Sequence, residues 1–235
     1  MNQNFAEFEE NGFVILKNIL DEKNVLILIE ELSKLKPSNS VSRKSESVYG
    51  VRNLLNLSPK VREFSQSEII KNIAKKYLGK NAKVVRAIFF DKTAEANWKV
   101  PWHQDLTIAV KEKCETEGFS AWTRKAEIQH VQPPIRVLEK MITLRFHLDD
   151  ADAGNGALKV IPKSHTKGRL SAEEIKFLHQ ANETRVCSVK KSDCLIMRPL
   201  ILHSSSAAAT PKNRRVIHFE FSAQDLPNGL NWYGS

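Results

Sequence analysis

The sequence predicts a mainly β fold with flanking helices: a double-stranded β-helix, or jelly-roll, core with N-terminal helices packed on one of its sheets. Two observations support this prediction. Residues 1–82 show mostly helical patterns, whereas residues 83–235 contain several short apolar runs separated by turn residues, as barrels and jelly rolls do. One such core commonly fills a chain of 235 residues, so we expect a single domain.

The chain begins with a short predicted helix at residues 5–11 and a β-rich run at residues 12–16. Asp21 is a typical N-cap for a helix that follows it. That helix would carry one apolar stripe: Val25, Ile29, Leu32 and Leu35. The stripe predicts that this helix packs on the core.

A polar stretch at residues 38–47 has no apolar periodicity and is expected to be a loop. Two further helices should follow it. Ser58 with Pro59 predicts a helix start, because serine is a common N-cap and proline is favoured at the first helical position. Gly79 predicts the end of the second helix, since glycine commonly follows a helix C-terminus.

Strands are expected at residues 84–90, 141–148, 157–161, 185–189, 194–197 and 215–221. The second of these alternates clearly between an apolar and a polar face. Ile142, Leu144, Phe146 and Leu148 point one way, and Thr143, Arg145 and His147 the other. We therefore expect the apolar face to pack on the early helices and the polar face to line a cavity.

Residues 111–140 lack strong periodicity. A loop of that length inside a compact domain usually covers an active site. We interpret it as a lid; the alternative is a surface excursion with one short helix at residues 135–140.

Composition sets weak limits on function. The net charge of +9 suits a nucleic acid, an anionic lipid or an acidic small molecule as partner. Because the lysines and arginines are spread along the whole chain, a solvated surface is favoured over a nucleic-acid groove. We expect a small-molecule substrate and no nucleic acid.

The three cysteines and the N-terminus indicate a cytoplasmic protein. Cys114, Cys187 and Cys194 form no CxxC pair and are odd in number, which is typical of reduced thiols. The longest apolar run near the N-terminus, residues 25–29, is too short to span a membrane, and the first residues lack the basic region of a signal peptide. No membrane partner is expected.

The stretch PWHQD at residues 101–105 places His103 and Asp105 two residues apart, on one face if it lies on a strand. These are two ligands of a 2-His-1-carboxylate triad for non-haem iron. The pair alone is weak evidence, since roughly 0.8 such pairs are expected by chance in this composition. A third ligand must come from elsewhere in the chain.

His203, at the end of an apolar run, is the candidate third ligand. Such a histidine is by itself more often a core or surface residue. Arg214 favours the ligand interpretation, because an iron oxygenase of this type needs a fixed cation for the far carboxylate of 2-oxoglutarate, which guanidinium binds bidentately.

With these residues in place, the sequence resembles the phytanoyl-CoA dioxygenase family of Fe(II)/2-oxoglutarate oxygenases. The shared motifs are residues 11–16, His103-Gln104-Asp105, residues 148–150, residues 155–165, residues 192–197, and His203 with residues 214–218. The resemblance implies that His103, Asp105 and His203 bind iron, that Arg214 and Ser205 bind the far carboxylate, and that Gln104 lies beside the cosubstrate. The chain departs from the family at Lys163, where glycine is usual, and at Arg145, where an aromatic residue is frequent.

The resemblance also implies the reaction. Fe(II), 2-oxoglutarate and O2 would hydroxylate an unactivated C–H bond of a small metabolite, with release of succinate and CO2. Family members that halogenate lack the carboxylate ligand, so Asp105 favours hydroxylation. An anion is one option for the substrate, given the basic chain.

The candidate substrate contacts are Trp102, Lys99, Arg145, Thr143, Arg136 and Trp122. Asn97 and Trp98 also precede the ligands and could line the mouth of the site. For the tryptophans the alternative is core packing, and for Arg145 it is an ion pair with an acidic neighbour.

Two other functional classes stay open from the residues alone. A cupin-like metal enzyme that does not use 2-oxoglutarate would need no arginine at position 214. A non-catalytic basic binding protein on the same scaffold should interleave aromatic with basic residues on its surface, whereas the aromatics here lie mostly in apolar strands.

Overall fold

The computed structural model describes residues 3–36, 50–125 and 127–234. The helices in these ranges are α1 (Gln3–Asn11), α2 (Glu22–Ser33), α3 (Leu54–Leu57), α4 (Pro59–Ser65), α5 (Glu68–Leu78), α6 (Ile135–Leu138) and α7 (Ala172–Ala181). The strands are β1 (Phe13–Leu16), β2 (Gly50–Val51), β3 (Lys83–Lys92), β4 (Val100–His103), β5 (Ile108–Val110), β6 (Ser120–Lys125), β7 (Ile128–Gln132), β8 (Met141–His147), β9 (Leu158–Val160), β10 (Arg185–Val186), β11 (Cys194–Met197), β12 (His203–Ser205) and β13 (Arg214–Ser222). The predicted loop at residues 38–47 lies outside the described residues.

Local capping explains where the N-terminal helices begin and end. The Asp21 carboxylate accepts a hydrogen bond from the backbone N–H of Asn24 at 2.6 Å, and Ser58 caps α4 with Pro59 at its first position. Gly79 follows α5 with a φ of +91°, which a side chain would strain. These predicted boundaries are confirmed, and α3 is one helix more than the two predicted for this region.

The stripe of α2 differs from the prediction by part of a turn. Its fully buried residues are Val25, Leu28 and Leu32, while Ile29 and Leu35 are only partly buried against the same core. The period of 3.6 residues makes i, i+3 and i+7 a single face, so Leu28 replaces Ile29 at its centre.

A six-stranded antiparallel sheet, ordered β1-β11-β8-β13-β3-β2, forms the larger half of the core. As predicted, the apolar face of β8 packs on the helices: Ile142, Leu144, Phe146 and Leu148 share one buried cluster with residues of α1, α2, α4 and α5. The opposite face of this sheet carries the polar side chains that line a cavity, among them Arg145. The alternation of one strand thus separates the structural side of the sheet from the functional side.

A four-stranded sheet, ordered β10-β9-β12-β4, faces the same cavity. Its β4 and β12 are antiparallel neighbours, and His103 lies directly opposite His203 in their register. Cross-strand partners of this kind have Cβ atoms about 5 Å apart. Pairing of two distant segments therefore brings the two histidines together, and the predicted jelly-roll fold with flanking helices is confirmed.

The expectation that residues 111–140 lack regular structure is wrong. β6 and β7 form a hairpin that joins β5 in a three-stranded sheet, and the predicted helix at residues 135–140 is the single turn α6. The hairpin escaped detection because β6 is mostly exposed and shows no apolar alternation. Its role as a lid stays a prediction, although Lys125, His130 and Gln132 line the cavity.

The N-terminal strand is fixed to the turn at residues 163–165. Lys163 donates its backbone N–H to the Asn11 carbonyl at 3.0 Å, and the His165 ring lies so close to Gly12 that a Cβ there would come within 2.3 Å of it. Lys163 itself has a φ of +65°, a conformation that favours glycine, which accounts for the family preference at this position. Lysine in place of the usual glycine at position 163 therefore affects the backbone of this turn.

The three cysteines are unpaired, as predicted. Burial raises the pKa of the Cys187 thiol to about 12, so this side chain packs as a small apolar group. None of the described helices combines the length and apolarity needed to cross a bilayer. The cytoplasmic location stays a prediction.

Candidate active site

His103, Asp105 and His203 form a group of three side chains whose candidate ligand atoms all lie within 4.8 Å of one another. The Asp105 carboxylate lies 3.8 Å from Nε2 of His103 and 3.7 Å from Nε2 of His203. His103 ends β4 and His203 begins β12, whereas Asp105 lies two residues beyond the end of β4. The sequence-predicted triad is therefore assembled in space.

The state of each side chain fits a divalent metal. Nδ1 of His103 faces the Pro101 carbonyl at 2.9 Å, and Nδ1 of His203 faces the Ile201 carbonyl at 2.9 Å, so each ring can turn an Nε2 lone pair toward the centre. Burial lowers the pKa of His203 to about 4, which keeps the ring neutral at pH 7. Two imidazole nitrogens and one carboxylate oxygen are the donors of the 2-His-1-carboxylate site.

Asp105 supplies the negative charge. Burial acts to raise the pKa of this carboxyl, but the attraction of His203, His218 and His103, which acts when these rings are protonated at low pH, outweighs it, and the pKa lies below its usual value. The group is therefore ionised at neutral pH and available as a ligand.

The triad opens into a cavity of about 540 Å³ between the two larger sheets. Of the residues that the structure describes, five cationic side chains line it: Arg52, Arg86, Lys125, Arg145 and Arg214. Two carboxylates, Asp105 and Glu220, do so as well. A cavity with this excess of positive charge favours anionic ligands.

Arg214 lies at one end of the cavity and is 3% exposed. Its Nη1 donates to the Gly156 carbonyl, its backbone N–H donates to Asp91, and its Nε has no acceptor among the described residues. Burial, followed by the charge of Arg145, lowers the pKa of Arg214 to about 9, which leaves it protonated at pH 7. The site thus contains a buried cation with an unfilled donor.

Ser205 belongs to the same cluster, since its hydroxyl donates to the Gly156 carbonyl at 2.8 Å. Gly156 has a φ of +79°, and a Cβ there would lie 2.7 Å from the carbonyl oxygen of Ser206. Only glycine lets the backbone come this close. The Gly156 carbonyl accepts from both Arg214 and Ser205 and so holds the two side chains next to each other.

Lys92 is a member of this cluster that the sequence did not single out. Its side chain is 1% exposed, and its ammonium donates to Ser205 Oγ at 2.7 Å and to the Ser206 carbonyl at 2.6 Å. Burial and the charges of Arg214 and Arg145 lower the pKa of Lys92 to about 7. The sequence around Lys92 is an aliphatic and aromatic strand and contains no motif that indicates this role. Lys92 comes next to Arg214 only through the pairing of β3 with β13.

We expect Lys92→Met to weaken 2-oxoglutarate binding about tenfold, since bonds to a charged group contribute more than neutral ones and the serine loses a fixed neighbour. Iron binding should stay unchanged, because the hydrogen bonds of Lys92 run to Ser205 and Ser206, which are not ligands of the triad. The measurement is a 2-oxoglutarate titration of the Fe(II)-loaded chain under nitrogen. Lys99→Met, at an exposed lysine outside the cavity lining, is the control; equal affinities in both variants would refute the role of Lys92.

Arg145 lies in the middle of the cavity wall, as the polar face of β8 predicted. Its Nη1 donates to Nδ1 of His218 at 2.7 Å, and the guanidinium lies 5.7 Å from the Phe90 ring centre. The partner is thus a histidine, and no acidic partner is observed within the described residues. His218 in turn lies 3.6 Å from Glu220, so one polar chain follows the wall.

Gln104 lines the cavity, but both N–H donors of its side-chain amide and the amide oxygen are bonded to the backbone. It donates to the carbonyls of Gly168 and Leu200 at 2.8 and 2.7 Å and accepts from the backbone N–H of Leu170 at 2.9 Å. These bonds give Gln104 a structural role in holding the loops behind the metal site. Contact with the cosubstrate stays a prediction.

The structure does not bring the other five proposed substrate contacts into the cavity lining. Trp102 packs on His179 with ring centres 4.9 Å apart, in a cluster on the far side of β4. Trp122 is partly buried against the core cluster that includes residues of β5 and β7. Lys99 and Arg136 are exposed, and Thr143 is buried under its neighbours in the sheet.

Of the two further candidates for the mouth of the site, Trp98 lines the cavity, while the Asn97 side chain is bonded to the backbone of Ala208.

Comparison with known proteins agrees with the geometry. The phytanoyl-CoA dioxygenase (PhyH) family model matches residues 8–216. The chain belongs to this family. As a PhyH member it is an iron- and 2-oxoglutarate-dependent dioxygenase, and the assembled triad is its candidate iron site.

Relatives and neighbours of this PhyH protein are distant in sequence. The peroxisomal phytanoyl-CoA dioxygenase of Homo sapiens is 23% identical, over 93% of this chain and 67% of its own length. EctD from S. alaskensis, solved with 2-oxoglutarate and 5-hydroxyectoine, superposes with a TM-score of 0.73 and 16% identity, over 94% of this chain and 76% of the other. SnoK, a non-haem α-ketoglutarate-dependent carbocyclase from nogalamycin biosynthesis, gives a TM-score of 0.74 and 13% identity, over 100% and 87%.

Proposed function

We propose that this dioxygenase hydroxylates a small anionic metabolite, with release of succinate and CO2. The observation that carries the proposal is the single cavity that joins the His103-Asp105-His203 triad to Arg214 at one end and is lined by an excess of cations. In this assignment the triad binds Fe(II). Arg214, with Ser205 beside it, binds the far carboxylate of 2-oxoglutarate.

The side chains have separate tasks in this proposal. The bound iron, with 2-oxoglutarate and O2, supplies the oxidising chemistry. The two Nδ1-to-carbonyl bonds keep the imidazoles oriented, and the guanidinium of Arg214 fixes the cosubstrate at its far end. Arg145, at mid-cavity and electrostatically coupled to Asp105, orients the substrate over the metal.

The two alternative classes are less well supported. A metal enzyme that does not use 2-oxoglutarate has no need for a guanidinium that is 3% exposed and whose Nε lacks an acceptor among the described residues. A basic binding module needs no assembled triad within a cavity. Hydroxylation is supported less directly than the use of 2-oxoglutarate, since the neighbour SnoK has a similar fold and is a carbocyclase.

We expect a screen with Fe(II), 2-oxoglutarate and O2 to find turnover-linked succinate among small carboxylates and phosphate esters rather than among amines. The product should gain one oxygen atom by mass, and the Asp105→Ala variant should form neither product nor extra succinate. A product of unchanged composition or with two hydrogens fewer would rule out hydroxylation. Turnover that does not require 2-oxoglutarate would rule out the whole assignment.

A further inference from the structure

Arg86 lies at the end of the cavity opposite Arg214. In the β3–β13 register Lys92 faces Arg214, and Arg86 faces Glu220. Arg214 and Glu220 are six residues apart on β13, which corresponds to about 20 Å along a strand. The cavity therefore has two cationic ends, of which the proposed cosubstrate assignment uses only one.

Arg86 has hydrogen-bond donors to spare. It is 5% exposed, and its Nη1 donates to Glu220 Oε1 at 3.0 Å. Nε and Nη2 have no acceptor among the described residues. These two donors form one edge of the guanidinium plane, which matches two oxygens of a carboxylate or phosphate group. Buried donors without a partner cost free energy, so a bound oxyanion would relieve this cost.

The surroundings of Arg86 favour an anion. Arg52 and Lys125 line the same end of the cavity, and partial burial together with the charges of Arg52 and Arg86 lowers the pKa of Lys125. The one carboxylate here, Glu220, is already engaged by Arg86 and lies 3.6 Å from His218. His130 contributes no charge, since burial lowers its pKa to about 4.

We infer that Arg86 binds an oxyanion of the substrate, a carboxylate or a phosphate monoester, at the end of the cavity remote from the cosubstrate. The inference rests on the proposed function and defines its substrate more closely. His218 and Arg145 face each other across β13 and β8 and line the same cavity as the triad, at a level between Arg214 and Glu220. Glu220 lies two residues beyond His218, or about 7 Å along the strand, so the oxidised carbon should lie a short chain away from the anion.

The test is calorimetry on the full chain loaded with Mn(II) and saturating 2-oxoglutarate under nitrogen. The probes are hexyl phosphate, hexanoate and the neutral 1-hexanol. We expect at least one anion to bind the wild type more tightly than 1-hexanol, and the tighter anion identifies the group. Arg86→Met should weaken that anion at least tenfold, a loss moderated by the remaining cations, and Arg86→Lys should be intermediate because lysine keeps the charge but loses the fork.

Two variants control for charge and for folding. Arg124→Met removes an exposed cation next to Lys125, outside the cavity lining, and should bind all probes as the wild type does. Arg86→Met leaves Glu220 without its partner, so the double variant Arg86→Met/Glu220→Leu removes both charges together and should show the same loss. If neither folds, Arg86→Lys decides, since it keeps a cation for Glu220.

The inference fails if Arg86→Met, or Arg86→Lys where that variant decides, binds the anions as the wild type does, or if 1-hexanol binds the wild type as tightly as they do. The charge-transfer band of the Fe(II)–2-oxoglutarate complex separates this failure from a larger one. A normal band with no anion effect refutes only the substrate subsite. A wild type without the band refutes the proposed function itself.

Discussion

Replacing His203 by alanine should abolish turnover and remove most of the affinity for Fe(II), and His103→Ala and Asp105→Ala should do the same. The triad is the one group of three potential metal ligands found within the described residues, and a facial site has no spare protein ligand. The loss should exceed the roughly 10–100-fold seen when only an outer partner of a metal ligand is removed. Fe(II) titration under nitrogen, followed by the charge-transfer band with 2-oxoglutarate, measures it.

His179→Ala is the matched control, because His179 is exposed and packs on Trp102 outside the cavity lining. It should retain both iron binding and turnover. Normal iron binding in all three triad variants would instead remove the metal assignment. A loss in His179→Ala equal to that in His203→Ala would point to a general effect on folding.

The sequence predicted those parts of the fold that depend on local periodicity and capping. β8 is the clearest case: its strict alternation placed four apolar residues on the helices and Arg145 in the cavity. The ends of α4 and α5 followed from Ser58, Pro59 and Gly79. Each of these signals acts within a few residues of the backbone that it shapes.

The elements that were missed lacked apolar periodicity or had an overlooked cap. β6 is exposed along most of its length, so its pattern cannot be told from a loop. α7 begins with a capping box between Ser171 and Glu174, a signal that was present in the sequence and could have predicted it.

In the candidate site, too, local motifs were predicted and contacts set by long-range strand pairing were not. His103 and Asp105 share one short motif, so the sequence could place them together. Lys92 and Arg86 enter the site only because β3 pairs with β13 over nine residues of the latter, and that register depends on long-range packing. The sequence therefore predicted the metal ligands more completely than the walls of the cavity.

Arg214→Ala should weaken 2-oxoglutarate binding by roughly 30-fold or more while iron stays bound. Arg214 is 3% exposed, and removing one partner of a buried, hydrogen-bonded charge pair typically costs on the order of 2–5 kcal/mol. Arg214→Lys should fall between the wild type and Arg214→Ala, since lysine keeps the charge without the bidentate fork. Calorimetry of 2-oxoglutarate binding to the Fe(II)-loaded chain under nitrogen measures all three affinities.

Arg215 provides an internal control of equal charge one residue away. Alternation along β13 turns it from the cavity, and its guanidinium binds Asp149 through Nε at 2.8 Å and Nη2 at 2.6 Å. Arg215→Ala should therefore lower stability through the loss of this pair but leave cosubstrate affinity nearly unchanged. If Arg214→Ala binds 2-oxoglutarate as the wild type does, or if only Arg215→Ala weakens it, the cosubstrate carboxylate is bound elsewhere and the assignment of this end of the cavity is wrong.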